Sequence, residues 1–339
     1  MPSIKANETV LVTGASGFIA VWGQFIDNIV SRTQRHTSQT IHGQEGAFDE
    51  AVKGVHGIAH TASPFHFASE DPKDIIDPAI KGTTGVLESA HKFGSAVKRV
   101  VITSSVASVT DGMYHLKTPG TIYTENDWNT LSEKEIEEKG KYASGSEKYC
   151  ASKTLAEKAA WEFVKNIKPN WDIATCCPSL VLGPFLHQVS NPNALNTSIA
   201  TLYNFMHNKE SISKEALLVP NFNFVHVQDI ALAHVRALEV EEAGGQRFIT
   251  SSGPFCWQDA LDVLDLPPEF PRGIPGSVDV LDLPPEFPRG IPGSGKALNH
   301  IVFSHTKANK MLGIEFKGLQ ECVRDTVKDL EKHGWGVMV

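Results

Sequence analysis

The sequence predicts an α/β fold: a doubly wound parallel sheet with helices on both faces, followed by a smaller C-terminal part. Three observations predict it. Apolar runs with strand character alternate with helical sequence at Thr9 to Thr13, Gly57 to Ala62, Arg99 to Ser104 and Asp172 to Pro178. The first run passes directly into a glycine turn and a helix. A later helix-forming stretch, from Glu147 to Phe163, carries Tyr149 and Lys153 four residues apart.

The first strand, Thr9 to Thr13, leads into Gly14-Ala15-Ser16-Gly17-Phe18-Ile19-Ala20. Gly14 allows a tight turn, Gly17 lets backbone approach a pyrophosphate, and Ala20 is small enough for the helix to pack closely on the strand. Ile19, Trp22, Phe25 or Ile26, and Ile29 or Val30 recur at helical spacing, so the helix start can offer amides and a positive dipole end to phosphate. Glycine trios are common; the position between a strand and a helix is what gives this one meaning.

A first βαβ unit takes about 30 residues or more. Ser31 to Glu45 nevertheless reads Ser-Arg-Thr-Gln-Arg-His-Thr-Ser-Gln-Thr-Ile-His-Gly-Gln-Glu, with one apolar residue and no strand pattern. The expectation is an irregular segment over 21–45, with the second and third strands missing or degraded.

The run Val100 to Val106 ends in hydroxyls at Thr103, Ser104 and Ser105. Ligands of an open parallel sheet sit at the carboxyl ends of its strands, where a serine can donate to a substrate oxygen. Strand-end serines equally cap turns and helices. Ser132 to Lys141 mixes both charge signs and reads as a solvated helix with Glu-to-Lys pairs.

Tyr149 and Lys153 share one helix face. A tyrosine titrates near pH ~10, and a cation held beside it favours the phenolate, which makes a proton donor usable near neutrality. That chemistry suits protonation of a carbonyl during hydride transfer. The bland alternative is a surface lysine beside a half-buried tyrosine.

Glycine turn, strand-end serine and Tyr-x-x-x-Lys, in that order, resemble an extended short-chain dehydrogenase/reductase with a Rossmann-type sheet, and within it the dihydroflavonol-4-reductase-like branch of carbonyl, aldehyde and methylglyoxal reductases. His60-Thr61-Ala62-Ser63-Pro64, Pro78 to Thr83, Cys177 to Pro184 and Phe224 to Ala231 fit as well, and the likeness runs from about Glu8 to Gly334. The resemblance implies a dinucleotide-binding domain over 1–183 and a mainly substrate-binding part over 184–339. It implies Ser105 (with Ser104 as the substitute candidate), Tyr149 and Lys153 as catalytic residues. Gly14, Ser16, Gly17, Phe18, Ile19, His60, Ala62, Tyr149, Lys153, Pro178, Leu180 and Val181 would hold the cofactor, NADPH by the branch's habit, with NADH possible. Arg32 and Arg35 are candidates for a 2′-phosphate, but no strand places them, so a solvated polar loop is the competing reading and weak discrimination between the two cofactors is expected. The implied activity is NAD(P)H-dependent reduction of an aldehyde or ketone, by a monomer or homodimer. The alternatives are a non-catalytic dinucleotide-binding regulator, or a reductase-derived chain with impaired cofactor binding. Phe185, Tyr203 and Phe224 are candidate pocket-lining aromatics.

Asp262 to Ser277 is repeated without a change at Asp279 to Ser294, with Val278 between the copies. Two copies are too few for a solenoid and their Pro/Gly content argues against regular structure over most of their length, so 262–294 reads as a duplicated loop.

The 339 residues are 41% hydrophobic with net charge −8. The acidic balance disfavours nucleic acid as a partner. The first residues lack the apolar core of a signal peptide and no run approaches the ~20 residues of a membrane span, so the expectation is a cytoplasmic protein with no membrane partner. Five cysteines without Cys-x-x-Cys fit reduced thiols. His56 and His60 stand at i, i+4, but the histidines otherwise lack metal-ligand spacing, and no metal is expected.

Overall fold

The computed structural model describes residues 3–5, 7–23, 44–63, 69–110, 120–207, 217–219, 222–264 and 301–336. Strand β1 (Val10–Thr13) enters helix α1 (Phe18–Gly23) through the glycine turn. Strands β2 (Gly57–His60), β3 (Arg99–Thr103), β5 (Asp172–Pro178) and β8 (Arg247–Thr250) complete a five-stranded sheet in the order β1-β2-β3-β5-β8, parallel throughout. Between these strands run α2 (Lys73–Phe93), α3 (Leu131–Lys139) and α4 (Gly145–Ile167).

Alternate strand residues point to opposite faces, and the core divides accordingly. Leu11, Ile58, Val100, Ile102 and Ile173 pack with Val86 and Leu87 of α2 and Ala160 of α4. Val10, Ala59, Val101 and Ala174 pack on the other side with Phe18 of α1 and with Ala233, Ala237 and Leu238 of α6 (Val227–Glu239). Each strand is buried on both faces, which is why they read as continuous apolar runs.

At the amino ends of β3 and β5 the Arg99 side chain is fully buried and forked onto Asp172, Nε to Oδ1 at 2.6 Å and Nη2 to Oδ2 at 3.1 Å. It also donates to the carbonyls of Ala237 and Glu241 at 2.9 Å each. Gly244 packs here because a Cβ would stand 2.0 Å from Asp172 Oδ2.

A second sheet joins β6 (Leu180–Leu182) to β7 (Phe222–His226) in parallel and β7 to β9 (Gly253–Phe255) antiparallel. A two-stranded parallel pair joins β4 (Ile122–Tyr123) to β10 (Val302–Phe303). Asn223 ties them together: its Nδ2 donates to the Ile301 carbonyl at 2.8 Å and its Oδ1 accepts from Phe303 N–H at 3.4 Å. Helices α5 (Thr197–His207), α7 (Trp257–Leu264), α8 (Thr306–Leu312) and α9 (Leu319–Lys332) cover this part.

The expected loss of the second and third strands is not carried by the structure. Residues 24–43, including Arg32 and Arg35, lie outside the described residues. The stretch that follows is not degraded: residues 45–54 form consecutive turns that bury Phe48, Ala51 and Val52 under the sheet, and Val55 follows them into the same core. Asp49 fixes that segment to α2 by accepting from the Ser89 hydroxyl at 2.6 Å. Among the described residues β1 is the edge strand. The duplicated stretch begins in regular structure, since Asp262, Val263 and Leu264 close helix α7; the rest of 262–294 lies outside the described residues. The Glu-to-Lys helix is present as α3, with Glu135 paired to Lys139. Among the described residues no helix is long and apolar enough to cross a membrane, and no three His, Cys, Asp or Glu side chains gather as a metal site.

Candidate active site

Helix α4 positions the central residues. Ser144 caps it: the Ser144 hydroxyl accepts from Glu147 N–H at 3.2 Å while Glu147 Oε2 accepts from Ser144 N–H at 2.8 Å, a closed capping box that fixes where the first turn begins. The helix then presents Tyr149, Lys153, Glu157 and Ala160 as one buried stripe.

Beyond the end of β3 the chain turns through Ser104 and Ser105 into a short 3-10 turn, Val106–Ser108, which the Ser105 hydroxyl caps by accepting from Ala107 N–H at 3.1 Å. Ser105 is also hydrogen-bonded to the Tyr149 side chain. Ser104 also borders the cavity at this edge of the sheet, but its hydroxyl donates to Glu157 Oε2 at 2.6 Å. Of the two candidate serines, Ser105 is therefore the one joined to the tyrosine.

Tyr149, Lys153 and Ser105 open into a cavity of about 310 Å³ at the carboxyl edge of the sheet. Gly17, Phe18, Ile19, Pro178, Leu180 and Val181 form part of its wall, as the sequence predicts. Gly14, Ser16, His60 and Ala62 lie outside the wall. Gly14, with φ +66°, makes the turn, and a Cβ there would stand 2.9 Å from the Ala62 amide nitrogen. Ser16 is exposed on the turn. His60 is buried, its Nδ1 2.9 Å from the Thr13 hydroxyl and its ring edge-on to Phe48. His56 serves the backbone, its Nδ1 accepting from Thr9 N–H at 3.3 Å.

The Tyr149 shift runs opposite to the one the spacing suggests. Burial pushes the Tyr149 phenol well above the usual tyrosine value, and the Ser105 hydrogen bond only partly opposes this. Lys153 Nζ stands 6.0 Å from the centre of the Tyr149 ring, and burial lowers this ammonium to about 8, against the opposing effects of Cys177 and Glu157. The cation does not pull the phenol down, because both groups are out of water and desolvation disfavours each charged form. The phenol is thus held protonated, the form in which it can donate.

The remaining wall includes Ala20, Thr103 and Ser104, with Thr61, Ser63 and Ser179 from the segments matched to the family; Val106, Thr110, Asn196, Thr197, Ser198, Thr201, Phe222, Asn223, Ile301 and Phe303 were not singled out as residues from the sequence. They stand far apart in the chain: the main sheet brings the ends of β2, β3 and β5 together, and the pairings around β7 and β10 add Phe222, Asn223, Ile301 and Phe303. The aromatics predicted to line the pocket pack elsewhere. Phe185 stacks on Trp335 and packs tilted against His333, Tyr203 stacks on His207, and Phe224 lies edge-on to Phe255. Phe222 and Phe303 take that role.

The residues present fit a dinucleotide. The Gly17 amide is drawn back to the Gly14 carbonyl at 2.8 Å, so the turn is formed, and a Cβ on Gly17 would crowd that carbonyl at 3.0 Å. From this turn the cavity wall continues to Tyr149 and Lys153.

The comparisons agree with this geometry. Residues 10–249 match the model of the NAD dependent epimerase/dehydratase family. The ketoreductase azaE of Aspergillus niger is 34% identical over 364 aligned residues, covering 95% of this chain and 97% of that protein. Yeast methylglyoxal/isovaleraldehyde reductase Gre2, solved with NADPH, superposes with a TM-score of 0.75 at 28% identity, covering 96% and 99% of the two chains. Gre2 from Candida albicans gives 0.79 at 28% identity, over 97% and 100%. The chain belongs to the NAD dependent epimerase/dehydratase family, in the dihydroflavonol-reductase-like branch of the extended short-chain dehydrogenases/reductases.

Proposed function

We propose that the chain reduces an aldehyde or ketone to the alcohol with NADPH, NADH being the second choice. The observation that carries this is the hydrogen-bonded Ser105–Tyr149 pair, with Lys153 beside it, in one cavity that the glycine turn also borders. Bound there, the reduced nicotinamide supplies hydride to the carbonyl carbon. Tyr149, kept neutral by burial, gives its phenolic proton to the carbonyl oxygen, and Ser105 orients that oxygen. Lys153 holds a cofactor hydroxyl and supplies positive charge as the phenol loses its proton.

Gly17, Phe18 and Ile19 would hold the pyrophosphate side, and Pro178, Leu180 and Val181 the nicotinamide side, leaving the wall at Val106, Phe222, Ile301 and Phe303 for a small carbonyl compound. Methylglyoxal and isovaleraldehyde, named for the yeast relative, are the first compounds to try. The five cysteines are buried and none is joined in a disulfide, as suits a reducing compartment, so the cytoplasm is the proposed location. A monomer or homodimer would suffice, since the residues invoked come from one chain.

Tyr149→Phe tests the reading, because it deletes the proton donor alone. Turnover should fall by at least about a hundredfold with NADPH affinity nearly unchanged. Full activity in that variant would overturn the assignment.

A further inference from the structure

One turn beyond Lys153 on α4 stands Glu157, 2% exposed. Its Oε2 accepts from the Ser104 and Ser108 hydroxyls at 2.6 Å each, and its Oε1 from the Thr175 hydroxyl at 2.7 Å and Trp161 Nε1 at 3.2 Å. Arg247 of β8 reaches both oxygens, Nε to Oε1 at 2.8 Å and Nη2 to Oε2 at 3.3 Å. The guanidinium is fixed in turn, donating through Nη1 to the Glu125 and Asp127 carbonyls at 2.7 and 2.8 Å, with its carbon 3.7 Å from the Trp128 ring centre.

Burying such a pair often contributes no more stability than filling the space with apolar side chains. An apolar side chain of similar volume could fill the space between α4 and the sheet. What it cannot do is hold Ser104 and Ser108, the residues that bracket Ser105. Ser108 also lies within reach of the Ser105 carbonyl, through its amide at 3.0 Å and its hydroxyl at 2.7 Å.

We infer that Glu157 is a positioning residue for the proton-transfer site: through Ser104 and Ser108 it locks the Ser105 turn onto the same helix that carries Tyr149 and Lys153. This rests on the reductase reading of those three residues. Because anchor and proton donor share one helix, Glu157 joins the Ser105 turn to the element that carries Tyr149, while Thr175 of β5 and Arg247 of β8 fix the carboxylate to the sheet. Displacement of a reacting group by an ångström can cost about a hundredfold in rate. The carboxylate has a second effect. The titratable groups facing Lys153 are Tyr149 and Glu157 on α4 and Cys177 on β5, with Arg247 behind Glu157. Burial pushes the Cys177 thiol up to about 12 and keeps Tyr149 neutral, which leaves Glu157 as the negative charge supporting the ammonium.

The test compares three variants of the full chain with wild type. Glu157→Gln removes the charge. Ser108→Ala removes one anchor and no charge. Glu157→Leu combined with Arg247→Met removes the whole pair and avoids a stranded guanidinium, an exchange that is often tolerated. Turnover of isovaleraldehyde with NADPH, the NADPH dissociation constant as a function of pH, and amide hydrogen exchange at Ala107 to Thr110 are measured on each. The double variant should lose about ten- to a hundredfold in kcat, with the NADPH dissociation constant within about threefold and exchange at Ala107 to Thr110 faster. Glu157→Gln should move the alkaline break in NADPH binding to lower pH; Ser108→Ala should lower kcat without moving it. A folded double variant with wild-type kcat and exchange overturns the inference, as does a loss that only tracks the folded fraction. Should wild type itself turn over no carbonyl, the reductase reading fails, and the exchange arm alone decides on the anchor: unchanged exchange at Ala107 to Thr110 overturns it.

Discussion

Ser105 and Tyr149 are hydrogen-bonded across the junction of a strand end and a helix, and the same serine hydroxyl caps its own 3-10 turn by accepting from Ala107 N–H at 3.1 Å. One side chain thus ties the turn to the proton donor. Ser105→Ala should cut kcat by about a hundredfold, the usual cost of removing one oxygen-stabilising donor, with little change in NADPH affinity. Steady-state kinetics beside a fluorescence titration checks this. An unchanged kcat would show that Tyr149 orients the carbonyl unaided.

NADPH affinity should weaken as pH rises through about 8. Burial places the Lys153 ammonium there, and the neutral amine is a poorer partner for a polyanionic cofactor. The unliganded protein should respond in the opposite sense. The folded pKa lies below the ordinary lysine value of 10.5, so between about 8 and 10.5 the unfolded chain binds more protons and stability rises with pH. Calorimetric titration across pH 7 to 9 (~one unit either side of the break) on wild type and Lys153→Met separates the two effects, because the break in binding should vanish in the variant.

Acid should destabilise the chain through His234. Its ring is 4% exposed, with Nδ1 2.8 Å from the Ile230 carbonyl and Nε2 2.6 Å from the Thr103 hydroxyl, which suits the neutral tautomer. Burial pushes the imidazole down to about 4, against the Ile230 hydrogen bond. With a folded pKa below the ordinary 6.5, the unfolded chain binds the extra proton between about 6.5 and 4, so stability falls as pH falls through that window. The loss amounts to about 3 kcal/mol. His234→Gln should flatten the denaturant midpoint between pH 6.5 and 4 (~the two pKa limits), and an equally steep decline would place the acid sensitivity elsewhere.

One copy of the repeat should be dispensable. The described chain is anchored on both sides, with Leu264 4% and Ile301 7% exposed, and halving a connecting segment changes closure entropy by only about 0.6 kcal/mol. Deleting Val278 to Ser294 should leave the melting temperature within a few degrees and activity intact. Collapse on deletion would show that both copies contribute packing.

The sheet was legible because each of its strands is buried on both faces and therefore reads as an apolar run, as in Val100 to Ile102. The glycine turn and Tyr-x-x-x-Lys were legible because turn chemistry and helical spacing are local. Glu157 carried a signal that could have been used: it continues the i, i+4 stripe of Tyr149 and Lys153. Its partner Arg247 stands 90 residues away and shows nothing locally. The pocket wall at Phe222, Ile301 and Phe303 was illegible for the same reason, since only strand pairing and the Asn223 clamp bring these residues together. The direction of the Tyr149 shift was misjudged because spacing reveals a neighbouring cation but not the burial that outweighs it.

The most direct test of the central claim is to mix the chain with NADPH and isovaleraldehyde, following loss of reduced nicotinamide and appearance of the alcohol together. The account predicts that the two proceed in equal amounts and stop in Tyr149→Phe while NADPH still binds. NADPH binding without oxidation, across isovaleraldehyde, methylglyoxal and a panel of simple ketones, would contradict it and identify the chain as a dinucleotide-binding protein without turnover.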